Sequence, residues 1–284
     1  MTRPHKYAYT ATLTSPLHHG AGTAGNTSLL RTADIIDPTT GTPHRVPYIS
    51  GNSIRNRLRT TLAWHTVHHT GIKPGTLTKA GVDLLFTGGA VTTTGSQIDL
   101  QTARDVETHY PALAMLGYAA QSDITAGTLE VSHANLVCRE NKWRLPDPAH
   151  PLADTPAARF RGEEFGTRHD TTGTATDALR DIAAEATGTA QMIYDLQVLR
   201  PGAVLYGEYR LRHGHTPAHR LALEAGLVLQ TRGGGLQLGA KNAVGYGHTT
   251  TTGLPTSLDA VTEWETHLHE HAAEIRDLID TLTR

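Results

Sequence analysis

The sequence contains a single cysteine, Cys138, in 284 residues. One cysteine cannot close an intrachain disulfide, and it excludes metal and redox motifs built from paired cysteines. We therefore expect a reducing, cytoplasmic environment. No apolar run approaches the roughly 18 residues that span a bilayer, and the start of the chain lacks the pattern of a signal peptide. The sequence thus predicts neither a membrane helix nor a secretory leader.

Charged residues are also scarce, at 18%, whereas glycine is abundant, with 28 residues. The composition is globular and rich in loops and hairpins, and the length suits one large domain. The net charge of -2 argues against a nucleic-acid partner, but the charges are unevenly distributed. The chain up to Arg104 carries ten basic and four acidic side chains, whereas the chain from Asp259 onward carries seven acidic and two basic ones. The asymmetry indicates either an anion-binding front with an acidic back or an ordinary uneven surface.

Hydrophobic periodicity predicts a helix that begins with Asn52 or Ser53 as its cap and runs to about His69, with Ile54, Leu58 and Leu62 on one face. Alternation and turn residues predict the remaining elements. These are a strand over 7–14, a Gly-rich loop over 20–26, a strand over 28–37, short helices within 73–118, a strand over 128–139, a loop over 141–176, a short helix over 176–186, strands within 195–212, a helix over 217–230, a Gly-rich segment over 233–247 and a long helix over 258–282.

Two Gly-rich segments resemble nucleotide-binding motifs. Residues 20–25 match G-x-G-x-x-G, but a strand pattern follows where dinucleotide binding needs a helix. In residues 234–241, Ala240 separates Gly239 from Lys241, and Asn242 stands where a phosphate loop needs a hydroxyl. This second segment predicts either a backbone approach to phosphate, with Lys241 for charge and Tyr246 for stacking, or a tight hairpin on the sheet.

The histidines suggest a metal, because His65 and His69 lie four residues apart on the expected helix. A zinc site needs a third ligand, and the sequence has no H-E-x-x-H frame to supply it. His267, His269 and His271 alternate, and on a helix only the first and last of them share a face. The sequence therefore predicts no metal and no cofactor. His18 and His19 differ from the others, because an imidazole before the Gly-rich loop could act as a general acid or base on RNA.

Residues 37–41, Asp-Pro-Thr-Thr-Gly, and 47–59, Pro-Tyr-Ile-Ser-Gly-Asn-Ser-Ile-Arg-Asn-Arg-Leu-Arg, resemble the P-x-I-P-G-S-S-L-x-G-x-L-R signature of the RAMP superfamily of CRISPR proteins. Residues 113–117 and 127–138 are similar to that family's L-F-G helix and the following strand. Residues 192–205, with Arg200-Pro201-Gly202, are similar to its R-V-P-x-G strand pair, and residues 238–247 to its C-terminal Gly-rich loop. The resemblance covers nearly the whole chain.

Within the superfamily, the chain is most similar to the type IV backbone subunit of the Cas seven family. The resemblance implies an α+β fold, with a ferredoxin-like, RRM-like antiparallel sheet in a single RAMP-type domain. It also implies an inserted helical lobe at about 71–125, a thumb hairpin at about 155–190 and a C-terminal helix at about 258–283. The implied partners are CRISPR guide RNA, a target nucleic acid paired to the guide, copies of the chain in a head-to-tail filament, and other effector subunits.

Type III backbone subunits place a catalytic aspartate six positions before the Asp-Pro pair, where this chain has Arg31. We therefore expect no catalysis, with Asp34 as a residual acid. Two other classes stay open: an endoribonuclease that uses His18, His19 or a metal on Asp34, and a protein-binding module of the same fold. The chain has no RNP aromatic motif, which favours binding of RNA regardless of its sequence. The RNA-binding residues predicted from the resemblance and from helix physics are Arg31, Asn52, Ser53, Arg55, Arg59, Gly239, Lys241, Asn242, Tyr246, Phe165, Arg168, His18 and His19.

Overall fold

The computed structural model describes residues 4–73, 75–91, 98–169 and 191–284. The strands and the helices are each numbered in chain order. The strands are β1 (His5–Leu13), β2 (Gly20–Ala24), β3 (Thr27–Leu30), β4 (Thr32–Ile36), β5 (Pro43–Ile49), β6 (Tyr118–Ala120), β7 (Asp123–Thr125), β8 (Leu129–Val131), β9 (Ala134–Leu136), β10 (Arg161–His169), β11 (Gln191–Leu199), β12 (Val204–Leu211) and β13 (Thr249–Thr252). The helices are α1 (Gly51–His69), α2 (Lys79–Thr87), α3 (Leu100–His109), α4 (Pro111–Leu116), α5 (Pro217–Thr231), α6 (Asp259–Glu270) and α7 (Ala272–Leu282).

The central sheet has the strand order β13-β1-β12-β9-β5-β4, and β8 also pairs with β12. Its first four strands are antiparallel neighbours, with His5 of β1 opposite Leu211 of β12. In chain order these four strands have the spatial arrangement 4-1-3-2, with α1 between the first and second and α5 between the third and fourth. This is the ferredoxin-like, RRM-like arrangement, so the predicted fold class is confirmed.

Helix α1 follows its predicted course with a different cap. Ser50, not Asn52 or Ser53, is the N-cap, because its Oγ accepts the Ser53 N–H at 3.3 Å. The predicted apolar face is buried, with Ile54, Leu58 and Leu62 each at most 2% exposed. The helix ends at His69, as the periodicity predicts.

The first Gly-rich segment is a strand and not the predicted loop. Residues 20–24 form β2, which pairs with β3 in a second sheet of order β10-β11-β3-β2. The predicted strand over 28–37 is divided between β3 and β4, because at Arg31 the backbone turns from one sheet to the other. Its N–H donates to the His19 carbonyl at 2.7 Å, while its carbonyl accepts the Tyr48 N–H.

Several other predicted boundaries shift. The strand over 128–139 is two short strands, β8 and β9, and the loop over 141–176 contains 3-10 turns and β10. Strand β10, which lies within the range expected for the thumb, pairs antiparallel with β11, which begins just after that range, and the two are called here the β10–β11 hairpin. The predicted helix over 176–186 lies outside the described residues.

Helices α2, α3 and α4 and the β6–β7 hairpin occupy the region expected to be an inserted lobe. The expected C-terminal helix is two helices, α6 and α7, because the chain leaves helical geometry at His271. Trp264, Leu268 and Ile275 are completely buried, so both helices belong to the core. Within the described residues, no helix combines the length and apolar character needed to cross a membrane.

Candidate nucleic-acid interface

The second Gly-rich segment folds into a tight loop over residues 236–248, called here the glycine loop. Gly239 and Gly247 both have positive φ angles, of 73° and 77°. A Cβ at Gly239 would collide with the His18 carbonyl, and one at Gly247 would collide with the Leu238 carbonyl. Glycine is therefore required at both positions by backbone geometry and by space.

Two segments hold the glycine loop in place. On one side, the Ala240 N–H donates to the His18 carbonyl at 2.8 Å, and the Gly247 N–H donates to the Pro16 carbonyl at 2.8 Å. On the other side, the Arg57 guanidinium of α1 donates to the Gly239 carbonyl at 3.1 Å and to Asn242 Oδ1. The loop is thus fixed between α1 and the chain that enters β2.

The glycine loop also contacts the β10–β11 hairpin. Lys241 Nζ lies 5.0 Å from the centroid of the Tyr194 ring, in a cation–π arrangement. The Tyr246 hydroxyl donates to Glu164, and this hydrogen bond, helped by burial, raises the pKa of Tyr246 to about 12. Phe165, the next residue on β10, is 75% exposed. Arg168 is on the same strand, but the position of its side chain lies outside the described part of the structure.

The two histidines have their ring nitrogens bonded within the fold. His18 is only 4% exposed, with Nδ1 at 2.8 Å from the Gln197 carbonyl and Nε2 at 3.2 Å from Ser28 Oγ. His19 Nε2 accepts the Ser50 N–H at the start of α1. Burial, with the positive charge of Arg31, lowers the pKa of His19 to about 4. These contacts join the His18 ring to β11 and β3, and the His19 ring to the start of α1.

Arg31 and Asn52 are exposed beside these histidines. Arg31 Nε donates to the Gly20 carbonyl at 3.1 Å, which fixes the guanidinium next to β2. Asn52 lies in the first turn of α1, where the helix dipole favours anions. Ser53 lies partly buried in the same turn, where its N–H donates to Ser50 Oγ. The first turn of α1 therefore presents one exposed polar side chain beside one exposed arginine.

Arg55 and Arg59 do not face this surface. The Arg59 guanidinium, only 7% exposed, donates to the Leu116 and Gly117 carbonyls at 3.0 and 2.7 Å, and Arg55 also donates to Leu116. Burial, helped by the charge of Arg55, lowers the pKa of Arg59 to about 10. These two arginines cap the C-terminus of α4, in place of the phosphate-facing position expected from the sequence.

Arg57, which the sequence analysis did not single out, is the arginine of α1 that contacts the glycine loop. It lies between Arg55 and Arg59 in the chain, but it points to a different side of the helix and reaches the glycine loop. A groove of about 540 Å³ runs beside it, between α1, the end of α5 and the glycine loop. The groove is lined by Tyr209 and Gln230, whose buried hydroxyl and Oε1 make no hydrogen bond among the described residues. Both atoms are buried, so they lie behind the wall of the groove and not on its open surface.

Asp34 lies on β4, away from the glycine loop. It pairs with Arg45 at 3.1 Å, and both side chains are largely exposed, at 76% and 70%. Within the described residues, it belongs to no group of three potential metal ligands. In the part of the chain that the structure describes, Asp34 therefore belongs to no three-ligand site for a divalent ion.

Comparison with known proteins places this geometry in a structural context. No family model matches the chain, and no curated protein matches it. The chain is similar in fold to a chain of a solved structure titled "Type IV-B CRISPR Complex", with a TM-score of 0.58 and 19% sequence identity, over 87% of this chain and 90% of that one. The resemblance to type IV proteins is thereby confirmed at the level of the fold, and the chain has the architecture of a protein found in a Type IV-B CRISPR complex.

Proposed function

We propose that the chain is a non-catalytic backbone subunit of a CRISPR effector complex, which holds the sugar-phosphate backbone of guide RNA. The observation that carries the proposal is the joining of the glycine loop, the start of α1 and the β10–β11 hairpin into one surface. Arg31, Asn52 and Lys241 are its exposed members and are called here the guide surface, and Phe165 is exposed on the other face of β10. The fold similarity to a chain of a Type IV-B CRISPR complex supports the assignment to a CRISPR complex.

The guide surface is continuous through hydrogen bonds. Arg31 is bonded to His19, and His19 is bonded to Ser50 beside Asn52. His18 is bonded to Ala240, which precedes Lys241 in the glycine loop. Tyr246 of the same loop is bonded to Glu164 of β10. A single strand of RNA that follows this path meets two cations and one amide. Phe165 lies on the opposite face of β10 from Glu164, because successive side chains of a strand alternate between faces.

The chemistry of these residues suits sequence-independent binding. Within the described residues, no carboxylate lies at ion-pair distance from Arg31 or Lys241, so both cations are available to phosphates. Phe165 offers a face on which any base can stack. Glu164 also lies nearby, but its bond to Tyr246 directs it toward the loop. We therefore expect affinity to come from phosphate contacts and stacking.

The absence of catalysis is part of the proposal. RNA cleavage needs a positioned general base or a metal-bound water. Both nitrogens of His18 are within hydrogen-bond distance of protein groups, and Arg31 occupies the place of the type III acid with a guanidinium that is always protonated. Asp34 is paired to Arg45. Each of these contacts favours a role in holding RNA.

The first experiment asks whether the protein purifies with RNA of uniform length, measured by the absorbance ratio and by a denaturing gel. The second measures affinity for a single-stranded RNA and for its scrambled version at several salt concentrations. We expect equal affinities and a slope of about -0.7 per phosphate neutralised. The double variant Arg31→Ala, Lys241→Ala should flatten the slope. The control Lys79→Ala, which removes an exposed lysine paired to Asp83 on α2, should not.

An unchanged slope in the double variant, or a strong preference for one RNA sequence, contradicts the assigned surface. Retention of a companion protein with no RNA bound favours the protein-binding alternative. Assembly is tested by electron microscopy with guide RNA, since a head-to-tail interface that does not close forms open filaments. Closed dimers, or particles whose size nuclease treatment leaves unchanged, argue against the backbone role.

A further inference from the structure

We propose that the chain holds a divalent transition-metal ion, best fitted by Zn²⁺, between α1 and α6, with His65, His69 and Glu265 as ligands. The site lies at the C-terminal end of α1, whereas the guide surface includes its first turn, and it does not depend on the proposed RNA function. Among the described residues, these three form the group whose ligand atoms all lie within 4.8 Å of one another.

The geometry is that of a tetrahedral site. His65 and His69 are four residues apart on α1, so their rings lie on one face, with centroids 4.3 Å apart. Glu265 Oε1 approaches from α6, at 3.4 Å from His65 Nε2 and 3.7 Å from His69 Nε2. Two donors bound to Zn²⁺ at about 2.0–2.1 Å and at the tetrahedral angle are about 3.4 Å apart. The two distances from Glu265 are therefore close to the spacing that one ion requires, and the ligand atoms of the two imidazoles lie within 4.8 Å of each other.

The state of the imidazoles also suits a metal. His65 Nε2 is buried and makes no hydrogen bond, although Glu265 Oε1 lies near it, so its lone pair lacks a directed partner. His69 Nδ1 lies 3.3 Å from His269 Nε2. If Nδ1 carries the proton, it donates to His269 and leaves Nε2 to face Glu265 with a free lone pair. A second hydrogen bond that fixes the ring in this way is typical of metal-bound histidine.

The choice of metal follows from the ligand types. Two imidazoles and one carboxylate suit Zn²⁺ and its neighbours, whereas Ca²⁺ and Mg²⁺ prefer oxygen ligands alone. The positive charge of Arg232 lies near His65 and disfavours a bound cation, whereas the negative charge of the Glu265 carboxylate favours it. Three protein ligands leave a fourth position for water. The bound ion would cross-link α1 to α6.

The test uses the full-length protein without an affinity tag, stripped of metal by a chelator and then dialysed. Titration with ZnCl₂ by calorimetry should give one site per chain, and Co²⁺ should give the visible absorption of tetrahedral coordination. Zn²⁺ should also raise the unfolding temperature. Glu265→Gln and His69→Gln should each weaken Zn²⁺ binding roughly 100-fold or more, and His269→Gln, which removes the supporting hydrogen bond, roughly 10- to 100-fold.

The matched control is His68→Gln, which removes an exposed neighbour on α1 outside the ligand set and should leave binding unchanged. Circular dichroism of each variant without metal shows whether it is folded. The proposal is overturned if the folded Glu265→Gln variant binds Zn²⁺ as tightly as the wild type. It is also overturned if the stripped wild type takes up no Zn²⁺ at micromolar concentration, or if His68→Gln loses binding as severely as His69→Gln.

Discussion

Replacing Arg57 by methionine separates two ways in which a cation can support RNA binding. The substitution keeps most of the unbranched stem and removes the guanidinium that donates to the Gly239 carbonyl and to Asn242 Oδ1. Because this guanidinium is committed to the glycine loop, we expect Arg57 to position the loop and not to neutralise phosphate. Arg57→Met should therefore lower the affinity for RNA without changing its salt dependence.

The magnitude follows from the bonds lost. Hydrogen bonds to a charged donor contribute about 1.5–3 kcal/mol each, and the half-buried position of Arg57 argues for the lower end. Asn242 keeps its bond to the Tyr246 carbonyl at 3.0 Å, so the loop stays partly fixed. A net loss of about 2 kcal/mol in loop order reduces the binding-competent population, and hence the affinity, by at most about 30-fold.

The assay is fluorescence anisotropy with a labelled single-stranded RNA over a series of salt concentrations. Lys241→Met is the matched comparison, because Lys241 is exposed and has no carboxylate partner among the described residues. It should reduce the slope of log affinity against log salt by about 0.7. If Arg57→Met reduces the slope by the same amount, Arg57 contacts phosphate directly and the positioning argument is refuted.

Four further outcomes are expected. Arg59→Met should lower the unfolding temperature by roughly 5–10 °C, because it leaves the buried Leu116 and Gly117 carbonyls short of a donor, while RNA affinity at lower temperature stays unchanged. Gly247→Ala should abolish RNA binding in protein that remains folded by circular dichroism, because its Cβ would collide with the Leu238 carbonyl. Burial lowers the pKa of His219 to about 4, so as the pH falls the unfolded chain takes up the proton before the folded chain does. The contribution of His219 to the free energy of unfolding should therefore be complete above pH 6.5 and decrease as the pH drops toward 4. Urea titrations should show that the free energy of unfolding depends less on pH in His219→Gln. Purified complex incubated with labelled RNA complementary to the guide and with Mg²⁺ or Mn²⁺ should show no cleavage. Cuts at regular intervals that disappear in Asp34→Ala would favour the type III alternative. Cleavage of precursor guide RNA that is lost in His18→Ala or His19→Ala would favour the processing enzyme.

The sequence predicts an element correctly where the residues of that element alone determine its conformation. Helix α1 ends at His69 as predicted, and α5 ends one residue beyond its predicted limit, because their apolar faces repeat with the helical period. Strand β2 escaped prediction because Gly20 and Gly22 have no strand preference of their own, and pairing with β3 is what makes the segment extended. Ser50 could be recognised as the cap only from the turn it closes.

The site was harder to predict because its contacts join distant parts of the chain. The sequence shows three arginines at alternate positions in α1, but it does not show that α4 ends beneath Arg55 and Arg59 or that the glycine loop lies beside Arg57. In the same way, the pair His65 and His69 is visible locally, whereas Glu265 reaches it only when α6 packs beside α1. Long-range packing therefore decides which side chains serve the surface and which serve the fold.

Helix α1 is a rod of about 28 Å, given its 19 residues and the usual rise of about 1.5 Å per residue. Its first turn borders the guide surface, and in its first half Arg55 and Arg59 donate hydrogen bonds to the C-terminal end of α4. The arginines bind backbone carbonyls, but all six residues of α4 are buried, and Gly117 has a φ of 68° with no room for a Cβ. Sequence changes in the lobe are therefore compatible with this junction only where α4 stays apolar and Gly117 stays glycine.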